Sequence, residues 1–130
     1  MRGAAPALQV MVAVPNARLA GRIAAALLER RLCACAQTLG PITSRYRWQG
    51  KIETAREVLL VVKTRPALFA AVERAVRELH PYEVPEIAAL PLGPVHAPYL
   101  AWLRQATRAG TPVRRGRRPP RAPSGRSVRR

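Results

Sequence analysis

Residues Leu32–Thr64 read LCACAQTLGPITSRYRWQGKIETAREVLLVVKT. Small, β-branched and aromatic side chains dominate its first half, which favours a strand over Leu32–Trp48. Gly40-Pro41 interrupts that run and predicts a bulge or bend, since proline donates no hydrogen bond to a ladder. Gln49-Gly50 fits a two-residue hairpin turn, with glycine supplying a positive φ. The return strand spans Lys51–Lys63. Its segment Val58–Val62 is continuously apolar, the pattern of a strand covered on both faces. Each strand exceeds ten residues, whereas roughly five or six is usual. Long projecting strands leave open edges, which are an aggregation hazard unless something pairs with them. The hairpin therefore predicts edge pairing between subunits.

The flanking sequence completes the pattern. Gln9–Val14 is a short β-branched run stopped by Pro15, hence a first strand. Asn16 can cap the next element by accepting a backbone N–H. Over Ala17–Arg31 the apolar residues Leu19, Ile23, Leu27 and Ala20, Ala24, Leu28 step by four, giving one helical stripe. Arg30 and Arg31 fall in its expected last turn, where cations suit the helix dipole. Beyond the hairpin, Pro66 suits a first helical turn. Leu68, Phe69, Val72, Val76 and Leu79 mark a second helix ending near His80. Pro81 and Pro85 forbid helix in the next segment. Glu86–Leu92 reads as a fourth strand, Gly93-Pro94 breaks it, and Ala97–Arg108 reads as a terminal helix. The order is strand, helix, strand, strand, helix, strand, helix. This predicts an α+β chain of the split βαβ, ferredoxin-like kind, with two helices on one face of an antiparallel sheet.

Composition narrows the function. The chain has 130 residues, 23 Lys+Arg against 7 Asp+Glu, and a formal charge of +16. All seven acids are Glu, which excludes an Asp nucleophile, a Ser-His-Asp triad and an EF-hand loop. Two cysteines cannot build a disulfide scaffold. No targeting signal and no run of about 20 apolar residues is visible, so the expectation is a cytoplasmic protein without a membrane span. Residues 110–130 hold eight Arg, no acid, four Pro and three Gly. Such a stretch cannot bury enough surface to offset its ordering entropy. We expect a globular domain over 1–109 and a disordered Arg-rich tail over 110–130. The tail reads either as an idle solvated extension or as an attachment device for an anionic partner such as nucleic acid.

Four segments resemble the CutA, or divalent-cation tolerance, family: Glu29–Glu53, Glu57–Thr64, His80–Leu92 (HPYEVPEIAALPL) and Tyr99–Leu103 (YLAWL). HPYEVPE followed by YLAWL is the most specific part. The resemblance implies a ferredoxin-like homotrimer whose long hairpins pair across subunits, a plan shared with PII-type signalling proteins. It implies a non-enzymatic role in tolerance of, or response to, copper or another divalent cation. An animal member of the family has been linked to anchoring acetylcholinesterase. The family's proposed copper ligands are a first-strand Cys and one or two His before PYxxPE. Here those places hold Val12, Leu79 and His80, so only His80 remains.

One imidazole is not a site, because copper and zinc take three or four ligands. Cys33 and Cys35 are two apart, and in a strand they would face the same way and share a soft ion. The other reading makes both small buried core residues. His80 is either a ligand or a group that caps helix carbonyls. Lys63, Tyr82, Glu83 and Glu86 could line a cleft at a neighbouring subunit that binds a small ligand, or the carboxylates could pair with arginines there. Tyr46 and Trp48 share one strand face and suit a subunit contact. Trp102 is expected to seal the last helix on the sheet. The alternatives to a metal role are a PII-like small-ligand sensor and a nucleic-acid-associated protein acting through the tail.

Overall fold

The computed structural model describes residues 5–108. Its elements run β1 (Leu8–Val14), α1 (Ala17–Glu29), β2 (Cys35–Trp48), β3 (Lys51–Thr64), a short 3-10 turn (Pro66–Leu68), α2 (Phe69–Leu79), β4 (Ile87–Pro91) and α3 (Ala97–Ala106). The four strands form one antiparallel sheet in the order β2-β3-β1-β4. That is the expected split βαβ arrangement, with β3 lying between β2 and β1. The 110–130 segment lies outside the described residues.

Register builds the core. Val10 faces Val62, Val12 faces Leu60 and Val14 faces Val58 across the β1–β3 ladder. Side chains alternate along a strand, so these six share one face. They pack with Leu19, Ala20, Ile23 and Leu27 of α1 and with Val72, Ala75 and Val76 of α2. Of the predicted stripe of α1, Leu19, Ala20, Ile23 and Leu27 are buried and Ala24 half-buried, while Leu28 stays 43% exposed. Asn16 caps α1 through its Oδ1, which accepts from the Leu19 N–H at 2.8 Å.

The end of α1 differs from expectation. The helix stops at Glu29, and Arg31 lies beyond it with φ 59°. The Arg31 N–H donates to Leu28 and the Leu32 N–H to Leu27, which is the Schellman closure. The chain therefore turns through Leu32–Ala34 and enters β2 only at Cys35. The arginine in the left-handed position gains a compensating bond, since its Nη1 donates to the Ala106 carbonyl at the end of α3.

The hairpin turns at Gln49 (φ 50°) and Gly50 (φ 80°), as expected for a two-residue loop. The predicted irregularity at Gly40-Pro41 is present as a register shift between Leu39 and Ile42. Gly40 has φ +147°, and an added Cβ there would meet the Val58 Cα at 3.2 Å and the Glu57 carbonyl oxygen at 3.3 Å.

β1 pairs with β3 only from Val58 onward, so Thr43–Trp48 and Lys51–Glu57 form a two-stranded ribbon beyond the sheet. The helices α1 and α2 cover one face of Val58–Val62. On the other face α3 covers only one end, through Leu103, Tyr99 and Trp102 packed with Ala7 and Ala34. The double coverage suggested by the apolar run is therefore incomplete within one chain, and Leu39 and Leu90 on this face are each 51% exposed. Arg65 fastens α3, its Nε donating to Thr107 Oγ1 at 2.8 Å and its Nη2 to the Thr107 carbonyl at 2.9 Å.

Gly40→Ala should destabilise the domain by about 1–3 kcal/mol, because the backbone there is glycine-only and a neighbouring strand occupies the Cβ position. Chemical denaturation of the two proteins measures it, and an unchanged midpoint would contradict this account of the bulge.

Candidate functional site

α2 ends at Leu79, and Pro81 and Pro85 hold the next residues out of a helix, so the chain crosses the sheet end as an irregular segment. His80 opens that segment. It is 8% exposed, and its Nε2–H donates to the Ala13 carbonyl of β1 at 2.8 Å. Its Nδ1 accepts the backbone N–H of Tyr82 at 3.2 Å. The ring thus ties the crossing segment to β1 rather than capping its own helix. Both nitrogens are engaged, which leaves no free lone pair for a metal in this arrangement.

Tyr82 packs beside that ring, with centroids 4.6 Å apart. Its hydroxyl donates to Glu57 Oε2 at 2.7 Å. Burial, reinforced by the bond to Glu57 and by that carboxylate's charge, pushes the Tyr82 phenol up to about 12 from 10.0. Glu57 itself is only 4% exposed. It sits opposite Ile42, just past the bulge, on the β3 face that carries Leu59 and Val61.

These residues wall an open cavity of about 830 Å³ between the ribbon and the crossing segment. Ser44, Arg45, Tyr46, Trp48, Glu53 and Glu57 come from the ribbon. Tyr82, Glu83, Val84, Pro85 and Glu86 come from the crossing segment, and Ala13 from β1. Four of the seven glutamates thus line one cavity in a chain of charge +16. Among the described residues none of the four forms an ion pair; the pair found is Arg30–Glu78, at 3.3 Å on the surface.

The structure therefore brings together Tyr46, Trp48, Tyr82, Glu83 and Glu86 and excludes Lys63 and Trp102. Lys63 lies at the other end of β3, opposite Cys35, and its Nζ donates to Gln37. Trp102 packs on Tyr99 of α3 at 5.5 Å, in the expected sealing role. Glu53, Glu57 and Arg45 were not picked out by sequence reasoning. Glu57 carried a readable signal: it directly precedes the apolar run, and strand alternation places its charge on the Leu59–Val61 side.

The two cysteines have different surroundings. Cys33 precedes β2 and belongs to the core beneath α1 and α2. Cys35, in β2, instead has its Sγ 3.4 Å from the Tyr99 hydroxyl. Strand alternation does not apply across a residue that is not in the strand. Burial, with the nearby Cys35 thiol adding to it, pushes Cys33 up to about 12 from 9.0. Tyr99 is raised by burial and by its bond to Cys35. Cys35 aligns with Lys63 and so with Gln9, whereas His80 reaches Ala13. Four residues of strand, about 13 Å, separate the two levels. Among the described residues no three His, Cys, Asp or Glu side chains are grouped so as to hold a metal ion.

Two outcomes follow. In the native protein Cys33 should resist a thiol reagent at neutral pH and react only on unfolding, which mass spectrometry of the labelled peptides reads directly; rapid native labelling would show the thiol is not sealed. Tyr82 is neutral while it donates, and its folded value lies above its unfolded one. Its stabilising effect is therefore complete below pH 10 and lost as pH rises toward about 12. Tyr82→Phe should flatten the loss of stability over that window, and an unchanged pH profile would remove Tyr82 as its cause.

A profile of the CutA1 divalent ion tolerance protein family matches residues 8–106. Protein CutA of Homo sapiens is 48% identical over 96 residues, which is 74% of this chain and 54% of that protein. The divalent-cation tolerance protein CutA of Thermus thermophilus is 46% identical over 98 residues, covering 75% of this chain and 95% of that one. The chain thus spans about half the length of the animal relatives. The solved Thermus thermophilus Cut A1 structure superposes with a TM-score of 0.76 at 44% identity, covering 78% of this chain and 98% of that chain. CutA1 from Oryza sativa gives 0.77 at 38% identity, covering 80% and 95%. With the fold, the hairpin and the His80–Glu86 crossing all inside the matched region, the chain belongs to the CutA1 divalent ion tolerance family.

Proposed function

We propose that this chain is a non-enzymatic divalent-cation tolerance protein that works in the cytoplasm as a homotrimer. The family match over residues 8–106 carries the tolerance role. The exposed ribbon supports the trimer. A lone two-stranded ribbon is marginal in water, and this one leaves Tyr46, Trp48 and Ile52 exposed, Ile52 at 61%. Leu39 and Leu90 on the half-covered sheet face add apolar surface that further copies would cover. No helix among the described residues is long and apolar enough to cross a membrane.

Copper or another divalent cation, in this reading, is held weakly rather than in a closed cage. His80 spends both nitrogens on the fold, Cys33 is sealed, and Val12 and Leu79 supply no ligand atoms. A chelator-competition copper titration of the full chain under reducing conditions tests this. The expected result is no binding tighter than micromolar and no change on Cys33→Ser/Cys35→Ser. Tight binding abolished by that double substitution would restore the thiol pair as ligands. His80→Ala should cost about 1–3 kcal/mol of stability by orphaning the buried Ala13 carbonyl, and leave the copper isotherm unchanged. For assembly, light scattering should give three chains per particle, and Ile52→Glu should lower that number; a monomeric wild type would remove the trimer.

A further inference from the structure

We propose that the C-terminal end of α3, continued by the arginine-rich 110–130 sequence, binds the phosphate backbone of duplex nucleic acid. Charge is sorted along this chain: residues 87–130 contain ten arginines and no acid. Two of the ten, Arg104 in the last turn of α3 and Arg108 just past its cap, are exposed. The fold brings two more to the same place from distant elements. Arg31, past the end of α1, donates from Nη1 to the Ala106 carbonyl at 3.1 Å. Arg65, past the end of β3, donates from Nε and Nη2 to Thr107 at 2.8 and 2.9 Å. Four arginines therefore gather at the end of α3, and among the described residues no carboxylate pairs with any of them. The half-buried guanidiniums of Arg31 and Arg65 are fixed by the helix end, and their charge outweighs its partial negative charge. A guanidinium has five N–H donors, so both keep donors for a further acceptor.

The chemistry selects the partner. Arginine forks match phosphate oxygens two at a time. The 110–130 sequence, which lies outside the described residues, adds eight more arginines spaced by Pro, Gly and Ser, a pattern suited to a line of phosphates. It offers no Trp, Phe, Leu or Ile to enter a bilayer interface, which argues against a lipid surface. It has no aromatic ring on which an unpaired base could stack, and Tyr99 and Trp102 of α3 pack on each other, which argues for a duplex over a single strand. The surface also stands apart from the ribbon that the proposed trimer covers: Arg65 lies eight residues beyond Glu57, about 26 Å of strand. This inference goes beyond the divalent-cation reading and does not depend on it.

The test is fluorescence anisotropy of a labelled, mixed-sequence DNA duplex of about 20 base pairs, titrated with the full chain from about 50 to 200 mM salt. We expect saturable binding whose affinity falls linearly with salt on logarithmic axes. Arg104→Gln/Arg108→Gln should weaken binding and make that slope shallower by about 1–2. Replacing all eight arginines of 110–130 by glutamine should weaken binding by about tenfold or more at low salt. Arg18→Gln/Arg22→Gln removes the same charge from the first turns of α1, with Arg18 about 20 Å along that helix from Arg31, and should leave the affinity within about twofold. Three results overturn the proposal. The first is no saturable binding at the lowest salt. The second is equal weakening by the two double variants, which would make affinity follow net charge rather than this surface. The third is binding to phosphatidylserine vesicles without binding to the duplex, which would make the partner a lipid surface. Should Arg104→Gln/Arg108→Gln fail to fold by circular dichroism, Arg108→Gln alone takes its place with the same expected direction.

Discussion

The antiparallel register of β1 against β3 is the constraint from which the other features follow. It sets Val10, Val12 and Val14 opposite Val62, Leu60 and Val58, so that one face of two strands is wholly apolar. A shift by one residue would turn that set outward. With the register held, α1 and α2 have one surface on which to bury their stripes, and β2 and β4 fall to the outer positions. The same register fixes what is left over. β3 is twice as long as β1, so its first half continues beyond the sheet with β2 alone as partner.

That surplus length is where the site forms. The bulge at Gly40 brings β2 against Glu57 and Val58, and the ribbon beyond it faces the proline-held crossing segment. His80 joins crossing segment to sheet through the Ala13 carbonyl, and Tyr82 joins it again through Glu57. A residue that chemistry would nominate as a metal ligand is thus a structural tie, while a tyrosine and a buried glutamate hold the cavity wall. The two cysteines show the same displacement of role. One fills the core, and the other meets a tyrosine of α3.

Most of the architecture was legible because hydrophobic period and turn chemistry act locally. The four-step spacing of α1, the cap at Asn16, the Gln49-Gly50 turn and the break at Gly40-Pro41 each depend on neighbours a few residues away. Of the residues proposed for a cleft, Tyr82, Glu83 and Glu86 line one cavity, together with Tyr46 and Trp48, which were expected at a subunit contact. Lys63 does not, because β3 carries it to the opposite end of that strand, beside Cys35. The start of β2 was misread for a related reason. A Schellman turn that uses arginine rather than glycine at the left-handed position gives no compositional warning.

By itself the sequence determined the element order and the α+β class, since these rest on periodicity and punctuation along the chain, and its HPYEVPE and YLAWL segments carried the resemblance to the family. Only the tertiary structure decided which titratable groups stand together. It engaged both nitrogens of His80, put Cys33 in the core and Cys35 against Tyr99, and buried Glu57 beside Tyr82. Those outcomes depend on strand register and on contacts between residues dozens of positions apart. Chain spacing does not encode such distances until the sheet has formed.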